Sequence, residues 1–143
     1  LEQIKKKRIL GKTKDGKNWR IIVGNSIDVV LPDEVIQTII CSPPYWGLRD
    51  YEVDGQMGSE DQSDNFISTL VGVFNRLRTI LSDDGCLFVE IGDQANNNAY
   101  SGILERFVLS MINSGWFLRE RIIAERENWS SNLGALLLIY LFF

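Results

Sequence analysis

Thr38-Ile39-Ile40-Cys41-Ser42-Pro43-Pro44-Tyr45-Trp46 is an apolar run that stops at a small hydroxyl, two prolines and two aromatics. Ile39 and Ile40 favour a pleated, buried strand, and neither proline has an N–H to give to a ladder, so the strand is expected to finish at about Cys41. The prolines fix φ at 43 and 44, and Pro43 pushes Ser42 towards extended backbone, which leaves the Ser42 hydroxyl and the neighbouring carbonyls in a stiff, preset geometry. Tyr45 adds a flat face beside them. Such a set suits a planar heterocycle with an exocyclic amine, because hydroxyl and carbonyl oxygens accept the amine hydrogens while the ring stacks on the aromatic. A base in that position has first to leave its duplex. On these four residues alone, a rigid strand-to-loop junction without chemistry is the plain alternative.

Outward from this stretch, the chain reads as strands alternating with amphipathic helices. Upstream, Lys14 to Lys17 is a turn signal and Trp19 to Val23 a strand that ends at Gly24-Asn25-Ser26. Downstream, Trp46 to Ser63 is a long loop loosened by Gly47, Gly55 and Gly58, in which Trp46 and Arg49 offer DNA a stacking surface and a cation. Packing of Trp46 beneath the loop is the competing reading. Phe66, Leu70, Phe74, Leu77 and Leu81 recur at helical spacing over about 64–81, with Ser63 or Asp61 as a cap. Ser82 to Gly85 is a turn signal, and Cys86 to Ile91 a second buried strand closing at Gly92-Asp93. Ile103, Leu104, Phe107, Val108, Met111 and Ile112 make another helix, ended by Asn113-Ser114-Gly115, and Trp116 to Ala124 a further strand.

This order predicts a right-handed parallel crossover, with the carboxyl ends of the strands gathering Asn25, Ser42 and Asp93 on one rim. Asp93 is assigned a structural capping role there, outside the catalytic set.

At these residues the chain resembles the amino-methylating DNA methyltransferases, whose catalytic motif is Ser/Asp/Asn-Pro-Pro-aromatic and stands here as Ser42-Pro43-Pro44-Tyr45. The likeness continues through Trp46 to Tyr51, Gly55 to Glu60, Gly85 to Asp93 and Gly115 to Arg119, and covers roughly 19–127. It is greatest to the permuted branch, in which the catalytic half precedes the cofactor half. The Ser form of the motif is typical of cytosine-N4 enzymes and is shared by some adenine-N6 enzymes. The resemblance implies an α/β fold, part of a Rossmann-like S-adenosylmethionine-dependent methyltransferase with a mostly parallel sheet and flanking helices. It implies Ser42, Pro43, Pro44 and Tyr45 as the catalytic set, S-adenosyl-L-methionine as cofactor, double-stranded DNA with a flipped base as substrate and a restriction endonuclease as system partner. The family's usual Gly-Asp at the end of the first strand is Gly24-Asn25 here, which makes Asn25 the cofactor contact, an acceptor without charge assistance.

Composition fits one ordinary domain: 143 residues, 45% hydrophobic, with two cysteines and no secretory signal, which points to a reducing, cytoplasmic setting. No metal-ligand cluster is read from the sequence. Residues 1–20 hold eight of the 15 Lys and Arg, against Glu2 and Asp15, and 1–18 are taken as a solvated basic segment. The body, 19–127, is the catalytic half.

Residues 128–143 are a divergent apolar tail. Leu133 to Phe143 is too short to span a membrane, and is either a buried closing strand or the product of truncation or a changed reading frame; the second is preferred, since no Phe-x-Gly-x-Gly cofactor motif occurs and the family's recognition segment is replaced by Ala124 to Trp129. A missing carboxyl-terminal half and an inactive remnant follow from that preference. Carbon-5 cytosine chemistry is disfavoured, because its nucleophilic Cys follows a proline whereas Cys41 precedes Ser42 on a strand. An amino-group methyltransferase acting on RNA or protein, or a non-catalytic binding module, stays open.

Overall fold

The computed structural model describes residues 7–24, 36–93, 95–96, 99–123 and 136–143, and divides into two compact units, 1–33 and 34–143. The first is a hairpin in which β1 (Lys7–Lys12) pairs antiparallel with β2 (Asn18–Val23). Its turn is closed by Thr13, whose N–H donates to the Lys17 carbonyl at 2.8 Å, and by Gly16, whose φ of +83° suits a residue without Cβ. The indole of Trp19 lies across Gly11, its partner in the ladder, where any side chain would collide with the ring. The basic run is therefore in part a strand rather than a tail, because Ile9 and Leu10 interrupt the charges and extend along β2.

The second unit is built on β3 (Ile36–Cys41), α1 (Ser63–Arg78), β4 (Leu81–Asp93), the small strands β5 (Ala95–Asn96) and β6 (Ala99–Tyr100), α2 (Ile103–Asn113), β7 (Leu118–Ile123) and β8 (Leu136–Phe142). Its main sheet has the order β3-β4-β8-β7. β3 and β4 pair in parallel across α1, as the strand-helix-strand pattern predicts, and β8 runs antiparallel to both β4 and β7. Three of the four strands thus point the same way. The sheet is mixed, with the apolar tail as the reversed strand.

Residues 136–142 are central to this sheet. Leu138, Tyr140 and Phe142 are buried, and the rings of Tyr140 and Phe142 lie 6.4 and 6.1 Å from that of Phe107 on α2. The stretch takes the form of a closing strand: its alternating side chains complete a core, and its backbone groups are paired on both sides. α1 and α2 bury Phe66, Leu70, Phe74, Phe107 and Met111 on the face of the sheet that carries Leu87, Val89 and Ile91.

Boundaries shift where backbone chemistry overrides pattern. α1 begins one residue after Gln62, with no side-chain cap; Ser63 instead accepts a hydrogen bond from Arg106 at 2.9 Å, and Arg106 also pairs with Asp64. The turn signal Ser82-Asp83-Asp84-Gly85 lies inside β4, as an irregularity between the pairs Ile36–Leu81 and Thr38–Cys86. Gly85 is needed there, since a Cβ would sit 2.7 Å from Leu81 and 2.9 Å from the Ser82 carbonyl oxygen. α2 ends as expected, at Ser114 with Gly115 at φ +94°. β7 starts two residues later than its sequence suggests, because Trp116 turns into the core and donates its indole N–H to Asn75 at 2.9 Å.

Candidate active site

β3 and β4 end side by side. Cys41 is paired with Val89, so the next residues along the two parallel strands are Ser42 and Glu90, and both line a cavity of about 620 Å3. The remaining lining comes from Pro43, Pro44, Tyr45, Leu48, Arg49 and Tyr51. The size lies in the range of small-molecule sites, and the lining is polar and apolar in nearly equal parts. Ser42 offers a hydroxyl, Glu90 a carboxylate, Arg49 a guanidinium and the tyrosines flat faces. Immediately below, burial pushes the Cys41 thiol up to about 11, which keeps it a neutral packing residue and not a nucleophile.

The loop after Tyr45 is braced, contrary to the looseness that its glycines suggest. Trp46 donates its indole N–H to the Glu60 carbonyl at 2.7 Å, the Gly47 N–H donates to the Gly58 carbonyl at 2.8 Å, and the Glu60 carboxylate accepts the Gly58 N–H at 2.7 Å. Further out, Gln56 spans the loop: its amide oxygen accepts the Tyr51 N–H at 2.6 Å and its amide nitrogen donates to the Arg49 carbonyl at 2.8 Å. Gly58, at φ +96°, lets the loop backbone press on the motif; a Cβ there would lie 3.1 Å from the Tyr45 carbonyl oxygen and 3.4 Å from Pro44. The glycines serve positive φ and close approach. Gln56 and Glu60 are given no role in the sequence reading, since their role depends on which backbone groups the folded loop brings within reach; the positive-φ glycines Gly55 and Gly58 were the available signal.

The expected site residues therefore separate. Ser42, Pro43, Pro44, Tyr45 and Arg49 share the cavity. Trp46 is not among its lining residues; it is half-buried against the core and closes the loop, because its large apolar area and single N–H are both satisfied underneath. Asn25 lies outside the described residues, and β2 pairs with β1 in a two-stranded sheet; among the described residues the rim is formed by the ends of β3 and β4.

Asp93 is buried and structural, as expected, although its partners differ from those anticipated. It accepts the Ser101 hydroxyl at 2.6 Å and the N–H of Ile103, the first residue of α2, at 3.2 Å. Glu90, absent from the expected set, enters the cavity because β4 extends beside the motif. Among the described residues no group of three or more metal-ligating side chains comes together, and no helix is long and apolar enough to cross a membrane.

The family model described as DNA methylase, N6_N4_Mtase, matches residues 36–135, the whole of β3, the motif and its loop included. The chain belongs to this DNA methylase family. The methylase is 33% identical over 135 residues to the Type II methyltransferase M.SfiI of Streptomyces fimbriatus, which covers 81% of this chain and 32% of that protein. To M.SmaI of Serratia marcescens it is 32% identical over 143 residues, covering 78% of this chain and 49% of that protein. It therefore spans about a third to a half of the length of these relatives. In fold it is similar to a solved structure titled PvuII DNA methyltransferase (cytosine-N4-specific), with a TM-score of 0.61 at 18% identity over 84% of this chain and 47% of that one. The match establishes the α/β methyltransferase fold for the second unit's elements.

Proposed function

We propose that this methylase segment forms the base-binding part of a DNA methyltransferase that methylates the exocyclic amine of a flipped cytosine at N4. The observation that carries the reading is the cavity at the joint ends of β3 and β4, where a proline-stiffened hydroxyl and a tyrosine face stand together. Pro43 offers its carbonyl and Ser42 its hydroxyl to the amine hydrogens, which turns the nitrogen lone pair towards the incoming methyl. Tyr45 stacks on the ring, and the braced loop holds Tyr45 in place through the contact of Gly58 with its carbonyl. No covalent intermediate with the protein is needed, so positioning supplies much of the rate.

S-adenosyl-L-methionine, when bound, supplies an electrophilic methyl on a sulfonium centre. The described residues fit the acceptor side of this chemistry, with aromatic faces and a carboxylate on the wall to favour a cation nearby; Asn25 is the residue assigned to hold the cofactor's adenine amine. The cytosine preference rests on the Ser form of the motif, and the Type II names of the relatives support a cytoplasmic restriction-modification setting with an endonuclease of matching site. Double-stranded DNA is the substrate, with Arg49 beside the cavity as its phosphate or base contact.

The test is a chimera in which residues 36–123 replace the matching segment of M.SmaI, incubated with cofactor and DNA, followed by mass spectrometry of the nucleosides. N4-methylcytosine is the expected product, with Ser42→Ala slowing the single-turnover rate at saturating DNA. N6-methyladenine would move the target to adenine, and methylation only of RNA or protein would overturn the reading. The 143-residue chain alone is expected to bind the cofactor weakly and to transfer no methyl, which calorimetry and the same assay check.

A further inference from the structure

Ser42 cannot by itself tell an amino group from a keto group. A hydroxyl accepts from an amine and donates to a carbonyl with equal ease, so a site relying on it would hold thymine or uracil at the same place as cytosine. Glu90 differs. An ionised carboxylate only accepts, and Glu90 lines the same cavity from the adjacent strand, half-buried, its side chain making no hydrogen bond or ion pair to a described residue. Its neighbours on β4 explain why it is there and not in the core: Val89 and Ile91 alternate into the buried face, which turns Glu90 to the other side, beside the end of β3. Its oxygens are not sealed off from solvent, so they stand open to a donor that enters the cavity.

Resting on the base-binding reading above, we infer that Glu90 is the specificity-determining residue of the cavity: its carboxylate accepts a hydrogen from the exocyclic amine and rejects bases that present an oxygen there. The amine has two hydrogens: the Pro43 carbonyl accepts one, and the Ser42 hydroxyl and the Glu90 carboxylate share the other. A keto oxygen placed between the Pro43 carbonyl and Glu90 is repelled, and water is lost from both without replacement. The selected class is the amino-bearing nucleobase, cytosine or adenine, with thymine and uracil refused.

The experiment is an NMR titration of the full chain with 2′-deoxycytidine, 2′-deoxyadenosine and thymidine, for the wild type and for Glu90→Ala, Glu90→Gln and Tyr45→Ala. The amino nucleosides are expected to bind about tenfold more tightly than thymidine, the usual order for a hydrogen bond to a charged acceptor. Glu90→Ala should shrink that ratio severalfold, leaving only the preference that the Pro43 carbonyl supplies. Glu90→Gln, of the same shape, should narrow or invert it, because the new amide N–H can donate to the thymine oxygen; a side chain with only a structural role would not produce that reversal. Tyr45→Ala should weaken all three nucleosides alike. If Tyr45→Ala does so while the ratio ignores both Glu90 variants, the assignment of Glu90 falls and the base-binding reading stands. If none of the nucleosides binds, or Tyr45→Ala changes none of them, the base-binding reading falls and this inference with it.

Discussion

Two carboxylates three residues apart on β4 have opposite fates. Asp93 closes the strand on its sealed side, buried, with the Ser101 hydroxyl and the first N–H of α2 donating to it. Glu90 stands on the open side, on the wall of the cavity beside Ser42, with no described partner. The difference shows how one sheet end is divided: one part spends its polar groups on holding a helix, and the other keeps them for a ligand. A site of this kind depends on a strand buried on one side and free on the other, and β3, with Ile40 77% exposed, is flanked among the described strands by β4 alone.

The largest effect should come from removing what the sealed side rests on. Phe142→Ala on β8 deletes a fully buried ring packed on Phe107 and Trp116, and is expected to cost about 3–5 kcal/mol in denaturant unfolding. A cost below about 1 kcal/mol would mean that residues 136–142 are not the core strand described.

Next, Asp93→Ala should lose about 2–3 kcal/mol, since it strips the cap from α2 and leaves a buried N–H unmatched. Glu90→Ala should change stability by less than about 0.5 kcal/mol, as expected for a side chain without a partner among the described residues. Equal losses at 93 and 90 would erase the distinction between the two sides.

The effect confined to the narrowest range of conditions concerns Cys41, directly below the cavity. Its thiol is pushed up from 9.0 to about 11 by burial, so between those values the unfolded chain gives up a proton that the folded chain keeps. The unfolded state then binds fewer protons, and stability falls as pH rises through that window, by at most about tenfold in the unfolding constant per pH unit. Unfolding midpoints from pH 8.5 to 11 should show that decline in the wild type and a shallower one in Cys41→Ala; parallel curves would place Cys41 in water.

Much of this fold was legible because local rules and tertiary context agree. The prolines stop β3 where they must, Gly115 ends α2, and the helical spacing of Phe66, Leu70 and Phe74 marks the buried stripe of α1. The reading was incomplete where a partner far along the chain decides. Residues 136–142 look like a stray apolar tail until β4 and β7 flank them, and Trp46 looks like a DNA-stacking ring until the Glu60 carbonyl, 14 residues on, takes its N–H. Ser42 and Tyr45 could be named from their motif; Glu90 could not, because only the pairing of Cys41 with Val89 puts it beside them.

The central claim is that the cavity beside Tyr45 holds the base and not the methyl donor. It is tested most directly by Tyr45→Ala in the chimera, with methyl transfer and cofactor binding measured on the same preparation. Stacking of a base on an aromatic is worth about 1–3 kcal/mol, so methylation should fall roughly five- to hundredfold while the calorimetric affinity for S-adenosyl-L-methionine stays within about twofold. An equal fall in both, or an unchanged methylation rate, would contradict the assignment.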